Sequence, residues 1–384
     1  MRILQVVPLI SPTGEYGGPT TVALEQCAAL RDAGHDVLLA AGSRGYDEPP
    51  TQMRGVTTHL FAAWAPPGLG LRGLSSPRLV DWVSRVAPTA DVVHVHLARD
   101  LASLPAAAVA LARGVPLAVQ THGMIQPTKN PAAPLLDATL TRRVLSGAGR
   151  VFFLTDEERD GLVKVAPNLR LQRLRNGITI EKGPFRTGAR EEPDPGTVDV
   201  LYLARLQTRK RPIEFVEIAG ALATRYPAAR FTLVGPDEGE GDDVRTRIAQ
   251  LGLGPRLRWL GPVGPEEARR IMARADLYVL PSVDEPYPMS VIEALACGVP
   301  VVVTDSNGLA SVIEESGAGS VVRGAPRDRD ALVQAVERYL ADANLRISAA
   351  GRARKVADEQ LAMSGVVDLL LKAYQELTTA DPGP

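Results

Sequence analysis

Short apolar runs alternate along this chain with longer stretches of helical periodicity. RILQVVPL opens it as a buried strand. In TTVALEQCAALRDAG, Val22, Gln26/Cys27 and Leu30 fall at helical spacing, and Gly34 reads as the stop of a helix that begins near Pro19. DVLLAAG, ADVVHVH, PLAVQTHG and RVFFLT are further strand-like runs. The pattern breaks at 181–197, EKGPFRTGAREEPDPGT, where Pro, Gly and charge concentrate as in a linker. It then restarts: VDVLYLA, a helix from Pro212, RFTLVG, a helix through DDVRTRIAQLG, LRWLG, the helix PEEARRIMARA, DLYVLPS and VPVVVT, with helix again from about Asp328. Strands alternating with helices predict α/β architecture: two Rossmann-like, doubly wound parallel-sheet domains at 1–180 and 198–358. A tandem of this kind is expected to hold ligand in a cleft at the carboxyl ends of its strands. The segment 61–79, with Trp64, Arg72 and Arg78, reads as a disordered loop ahead of the alternatives, a clasp on a ligand or a dip into a membrane surface.

Composition narrows the class. The net charge of −1 over 384 residues disfavours nucleic acid as a partner. Two cysteines, Cys27 and Cys297, exclude a disulfide framework and fit a reducing compartment. No CxxC or HExxH occurs, so no structural zinc site is expected. The short N-terminal run is a strand rather than a signal peptide, and no apolar run is long enough to span a bilayer. The expected location is cytoplasmic, with peripheral contact at the inner membrane face left open. High Ala, Arg and Gly content suggests a GC-rich bacterial source.

Three loops carry candidate chemistry. SPTGEYGGPTT joins the first strand to its helix, and Gly14, Gly17 and Gly18 let backbone approach an anion at the helix start, although the spacing is not the dinucleotide fingerprint. LARLQTRKRP places Arg205 and Lys210 after a buried strand, where two cations suit a diphosphate; a solvated basic turn is the plainer reading. DEPYPMSVIEALACG puts Glu285 in a strand-end loop and Glu293 about one turn into a helix. Pro286 and Pro288 restrict that loop and donate nothing. The N–H groups of Met289, Ser290 and Val291 are then expected to be free donors, and the two acids can accept from sugar hydroxyls. A surface acid and a helix-dipole partner are the alternative for Glu285 and Glu293. His94 and His96 share one strand face; with no third ligand they read as polar strand-end residues, with His96 expected at the acceptor. Asp328-Arg329-Asp330 spells D-x-D but reads as helix capping.

The ordered set GEYGGPTTVALEQCAALRDAGHDV, THG, RNGI, ARLQTRK and EPYPMSVIEALACGVPVVVTD resembles the retaining glycosyltransferases of family 4, which have the two-domain GT-B fold. The resemblance runs from Met1 to about Val322. It implies that Glu293 binds the nucleotide ribose, Glu285 the hydroxyls of the donor sugar, and Arg205 and Lys210 the diphosphate, together with N–H groups around Met289 to Val291. It implies that Gly17 and Gly18 approach phosphate or acceptor and that His122 points at the reaction centre. It further implies a hexosyltransferase needing no metal and no cofactor beyond a nucleoside-diphosphate sugar, most commonly a UDP-sugar, and a final helix, 359–384, returning to the first domain. The acceptor would be a sugar, a lipid-linked or a small-molecule hydroxyl in bacterial polysaccharide, glycolipid or natural-product synthesis. Ala204, Arg211, Pro286 and Pro288 depart from residues frequent in the family and bear on donor identity and loop geometry. A nucleotide-sugar epimerase or a non-catalytic sugar-nucleotide binder stays open; oligomeric state is not legible.

Overall fold

The computed structural model describes residues 1–12, 17–128, 133–179, 196–324 and 329–379. The chain divides into two compact units. The first takes Met1–Thr179 and the final helix, Met363–Thr379; the second ends at Ala362. Most of the expected linker, and Asp328 of the D-x-D spelling, lie outside the described residues.

The first unit is built on strands β1 (Arg2–Ile10), β2 (Asp36–Ser43), β3 (Gln52–Met53), β4 (Val56–Ala62), β5 (Val92–His96), β6 (Leu117–Gln120), β7 (Arg150–Phe153) and β8 (Leu171–Arg173). Their order in the sheet is β3-β4-β2-β1-β5-β6-β7-β8, parallel except for β3 against β4. Pro8 cannot donate to a ladder, and the register of β1 against β2 shifts between Val7 and Leu9 to accommodate it. Alternate side chains of β1 serve different cores. Leu4 and Val6 pack with Leu79, Val83 and Leu104; Ile3 and Val7 pack with Cys27, Leu30, Leu370 and Tyr374. Burial on both faces explains why the strands read as near-continuous apolar runs.

The second unit holds β9 (Val198–Leu203), β10 (Ala229–Val234), β11 (Leu257–Trp259), β12 (Leu277–Leu280), β13 (Val301–Thr304) and β14 (Gly319–Val322), in the order β11-β10-β9-β12-β13-β14 with all pairs parallel. Both sheets reverse their winding once, β1 against β5 and β9 against β12. Such switch points place the carboxyl ends of neighbouring strands around an open crevice.

Two sequence readings need correction. The segment 61–79 is not a bare loop: it contains the end of β4, a short 3-10 helix at Gly70–Gly73 and the start of the helix Pro77–Val86, and an antiparallel bridge of Trp64 with Ser75 closes it. The first helix begins at Gly17, two residues before Pro19. Among the described residues, no helix is long and apolar enough to cross a membrane.

The final helix is fixed to the first unit at several points. Met363 N–H donates to the Ile178 carbonyl at 2.9 Å, and Arg150 pairs with Glu376 at 2.5 Å. Gly177 matters here through close approach: a Cβ on it would lie 2.9 Å from the Met363 Cα. Leu370 is fully buried, whereas Leu369 is 42% exposed. Leu370→Ala should therefore lower the unfolding free energy by about 2–5 kcal/mol, and Leu369→Ala should stay within about 0.5 kcal/mol of the parent. Urea denaturation followed by circular dichroism measures both, and equal effects would remove the helix from the first core.

Candidate functional site

In the second unit the switch point gathers the charged residues. Arg205 and Lys210 leave the carboxyl end of β9, and Glu285 leaves that of β12. The Lys210 ammonium donates to Glu285 Oε2, and Arg209 Nη2 lies 3.9 Å from the same oxygen. Lys210 and Glu285 are both buried, 9% and 6% exposed. Burial pulls the Lys210 ammonium below the usual lysine range, and the Glu285 carboxylate opposes that shift. The two loops are also joined through backbone: Val283 N–H donates to the Arg209 carbonyl at 3.0 Å, and Arg209 Nη1 to the Asp284 carbonyl at 3.0 Å. Glu285 N–H donates to the Ser306 carbonyl at 3.2 Å, and its own carbonyl accepts from Gly308 N–H at 2.8 Å.

Backbone strain concentrates around the same residues. Arg211 and Asp284 adopt positive φ values of 53° and 50°, one beside each member of the ion pair. His122 has φ 49°. Left-handed conformations at side-chain-bearing residues cost on the order of 1–3 kcal/mol and gather at functional sites.

Arg205 is exposed, and its Nη1 lies 3.1 Å from both carboxylate oxygens of Glu238. Gly235, at φ 145°, allows the close approach beneath it, since a Cβ there would run into the Ala204 carbonyl. Thr208 donates to Glu240 at 2.6 Å. The helix Met289–Ala296 follows Pro288 and has no side-chain cap. Its first two N–H groups, of Met289 and Ser290, have no acceptor among the described residues. Val291 N–H instead donates to the Pro288 carbonyl at 3.1 Å, so the expected three free donors are corrected to two. Ser290 Oγ meets the Tyr278 hydroxyl at 2.8 Å, and that hydroxyl lies 3.0 Å from the Leu203 carbonyl, tying the helix start to the end of β9. Glu293 is half-buried in the middle of the helix; with burial as the larger cause, it helps push the Cys297 thiol up to about 11.

The first unit's switch point is polar and uncharged. Gly17 and Gly18 open the first helix, whose Thr20 hydroxyl donates to the Leu9 carbonyl at 2.8 Å, and a Cβ on Gly18 would meet nothing within 4 Å. Three of the chain's five histidines stack in a row, His94 and His96 on β5 and His122 in the turn that follows β6. Ring centroids of His94 and His96 are 4.8 Å apart, and those of His96 and His122 are 5.0 Å apart. His96 Nε2 lies 2.9 Å from Gln5 Oε1, and its Nδ1 lies 2.7 Å from His122 Nε2. Gln5 Oε1 can only accept, so His96 carries its proton on Nε2 and accepts at Nδ1 from His122 Nε2–H. His122 Nδ1 is then left with its lone pair. His96 is fully buried, so the direct acceptor contact expected of it is corrected: it supports His122 from behind. His94 Nδ1 meets the Tyr374 hydroxyl at 2.6 Å, which brings the final helix into the stack.

Sequence reasoning missed Glu158. Its Oε1 accepts from Thr121 Oγ1 at 2.5 Å and from Gly123 N–H at 2.6 Å, and its Oε2 accepts from Leu154 N–H at 2.6 Å, bracketing the turn that carries His122. Thr155-x-x-Glu158, a helix-start spelling, was the available signal; Thr155 caps this helix by accepting from Glu158 N–H. Glu238 and Arg209 were missed as well, because their partners lie 33 and 75 positions away in sequence. Among the described residues, no group of three or more His, Cys, Asp or Glu could hold a metal ion.

Two doubly wound parallel-sheet units in tandem are the GT-B architecture of glycosyltransferases. Residues 17–177 match the glycosyl transferase 4-like domain, and residues 188–356 match the glycosyl transferases group 1. The chain belongs to this family of glycosyltransferases, family 4. It is 28% identical over 363 residues to the D-inositol 3-phosphate glycosyltransferase of Nocardia farcinica, covering 83% of this chain and 76% of that one. It is 27% identical over 333 residues to the GDP-mannose:cellobiosyl-diphosphopolyprenol alpha-mannosyltransferase of Xanthomonas campestris, covering 86% and 84%. Among solved structures, Anabaena HepE in complex with UDP superposes with a TM-score of 0.77 at 18% identity, covering 98% of this chain and all of that one. Sucrose-phosphate synthase of Thermosynechococcus elongatus superposes with a TM-score of 0.75 at 18% identity, covering 99% and 100%.

The histidine stack gives the molecule an acid-sensitive core. Burial pushes His94 and His122 down to about 3 from 6.5, and His96 falls well below its ordinary value, through burial first and its neighbouring histidines second. A folded-state pKa below the unfolded one means that the unfolded chain binds more protons as pH falls, so stability is present above 6.5 and drains away toward 3. Asp100, buried and raised to about 6, works in the opposite sense between 3.8 and 6, but it is one group against three. Unfolding free energy should therefore drop between pH 6.5 and pH 5, by up to about 1.4 kcal/mol per pH unit per histidine, and His94→Gln should flatten that slope. A pH-independent denaturation midpoint across this range would contradict the neutral stack.

Proposed function

We propose that this protein is a retaining glycosyltransferase that moves a hexose from a nucleoside-diphosphate sugar to an acceptor hydroxyl. One observation carries the reading: a buried lysine and glutamate pair, two unpaired helix-start N–H groups and an exposed arginine converge at one switch point. Departure of the nucleoside diphosphate leaves negative charge on its oxygens. Lys210, Arg205 and the N–H groups of Met289 and Ser290 are the donors suited to receive it, in place of a divalent metal. One preorganised donor of this kind is worth about 3–4 kcal/mol.

Glu285 is the group for hydroxyls of the donor sugar, and Glu293 the group for ribose. Glu285 is already engaged by Lys210 and Arg209, which favours substitution on the front face, with the leaving phosphate as base, over a covalent intermediate on that carboxylate. His122, with a lone pair on Nδ1, can accept from a hydroxyl near the anomeric carbon. UDP is the nucleoside diphosphate we favour; neighbouring folds are named with UDP, while one relative is named for GDP-mannose. Bacterial glycolipid or polysaccharide synthesis is the setting that the relatives' names support.

Thermal-shift screening against UDP-, GDP-, ADP- and dTDP-sugars identifies the donor, since ligand at 100 times its dissociation constant adds about 2.7 kcal/mol. With that donor, Lys210→Ala should lower kcat by about 100- to 1,000-fold. Glu293→Ala should weaken nucleotide binding, and Glu285→Gln should lower turnover with nucleotide affinity kept. Product NMR should show the donor's anomeric configuration; inversion would refute retention. Incubation with donor alone, yielding an epimer, would instead support the isomerase reading.

A further inference from the structure

The first unit contains a cavity of about 480 Å³ that the donor chemistry does not use. It lies at the carboxyl ends of β5 and β6, between Ala98 and Met124; Met124 N–H donates to the Thr121 carbonyl at 2.8 Å, closing the turn that carries His122. Leu71, Met124 and Leu136 give it an apolar wall, and Arg72 and Arg99 bring cations to it. These two arginines differ. Arg99 is clamped, its Nε and Nη2 donating to both oxygens of Asp137 at 2.8 and 2.9 Å and its Nη1 to the Gln126 carbonyl at 2.7 Å. Asp137 opens a π-helical turn, Asp137–Thr141, a geometry that recurs at functional sites. Arg99 is thus neutralised and rigid. Arg72 is exposed and has no ion-pair partner among the described residues.

Exposed apolar side chains also stand close in sequence to the residues that line the cavity. Eight large apolar side chains are exposed among the described residues, and four of them, Trp64, Leu69, Leu101 and Leu135, belong to the segments that form its walls. Trp64 and Leu101 flank Ser75 through bridges on either side of it, and Leu69 packs over Gly73. Exposed apolar side chains concentrated around one concavity mark a binding surface rather than ordinary scatter. The volume suits a ligand larger than one sugar ring.

We infer that this cavity and its rim bind the non-sugar part of an amphiphilic acceptor: a lipid-linked phosphate, with its chain against Leu71, Met124 and Leu136 and its anion on Arg72. The inference rests on the glycosyltransferase reading and names the acceptor class for it. Chain length beyond the cavity lies on the Leu69, Leu101 and Leu135 rim, and the hydroxyl end is directed toward His122.

Farnesyl phosphate is the probe, titrated into the full-length protein by calorimetry, with farnesol, inorganic phosphate and vesicles of neutral or anionic phospholipid as separate arms. Farnesyl phosphate should bind at least tenfold more tightly than farnesol or phosphate. Arg72→Glu and Leu136→Asp should each weaken it tenfold or more, while a thermal shift by the nucleotide donor, read on the same samples, is kept and reports intact folding. Equal binding of inorganic phosphate, farnesyl phosphate binding indifferent to both substitutions, or vesicle binding that anionic lipid alone explains would each overturn the inference. Loss of donor binding in the parent protein would sink the transferase reading instead, and is told apart because the farnesyl phosphate titration contains no donor.

Discussion

The contact between Lys210 and Glu285 is the constraint on which the second unit's site depends. An unpaired ammonium or carboxylate at that depth would cost several kcal/mol, and removing one partner of a buried pair is strongly destabilising. The pair therefore locks the loop after β9 to the loop after β12. Everything else at the switch point is arranged around that lock: the left-handed turns at Arg211 and Asp284, the Arg209 guanidinium on the Asp284 carbonyl, and the bridge from Glu285 to Asn307. A diphosphate arriving beside Lys210 would compete with Glu285 for the ammonium and free the carboxylate for hydroxyls. Depressing the lysine by burial while holding it with one carboxylate leaves it ready to exchange one anion for another.

Much of this was legible in the sequence because it is local. The strands read as apolar runs since both faces of each sheet are covered. Pro288 before Met289 marks a helix start, and Arg205 and Lys210 follow a strand directly. What escaped notice is non-local. Glu238 meets Arg205 only because β9 and β10 are neighbours, and Gly235 is needed there for the chain to pass Ala204. Val291 looked like a free donor because sequence cannot show that the Pro288 carbonyl closes the first turn. His94 and His96 looked like a strand end open to ligand; the final helix, nearly three hundred residues later, buries them and supplies Tyr374. The segment 61–79 looked irregular because its order comes from a bridge between Trp64 and Ser75 and from packing on Leu101, not from periodicity.

The final helix also changes what the first unit is. Its sheet would expose Ile3, Val7, Val92 and Phe152 without Leu370 and Tyr374, since those residues share one core. The helix completes that face and meets the polar stripe of Gln5, His94 and His96 at its edge. A single element thus contributes to core burial and to the orientation of His122, so perturbing its packing should be felt at the imidazole through Tyr374 before it is felt elsewhere.

The two switch points share a topology and differ in charge, and that difference divides the chemistry. In the second unit Arg205, Arg209, Lys210 and Glu285 gather charge at the ends of β9 and β12. In the first, Gln5 and three histidines, with Gln26, Gln120 and Asn176 hydrogen-bonded to one another nearby, present neutral polar groups, because burial keeps the imidazoles unprotonated. Neutral donors and acceptors discriminate hydroxyl positions without attracting anions indiscriminately. A protonated stack beside the first helix would instead place positive charge there. Glu158 fits the same logic: its carboxylate is spent on Thr121, Gly123 and Leu154, so it shapes the His122 turn without offering a competing charge to substrate. Arg72, which has no ion-pair partner among the described residues, lines the apolar cavity of the same unit, so positive charge in this unit stands apart from the neutral stack.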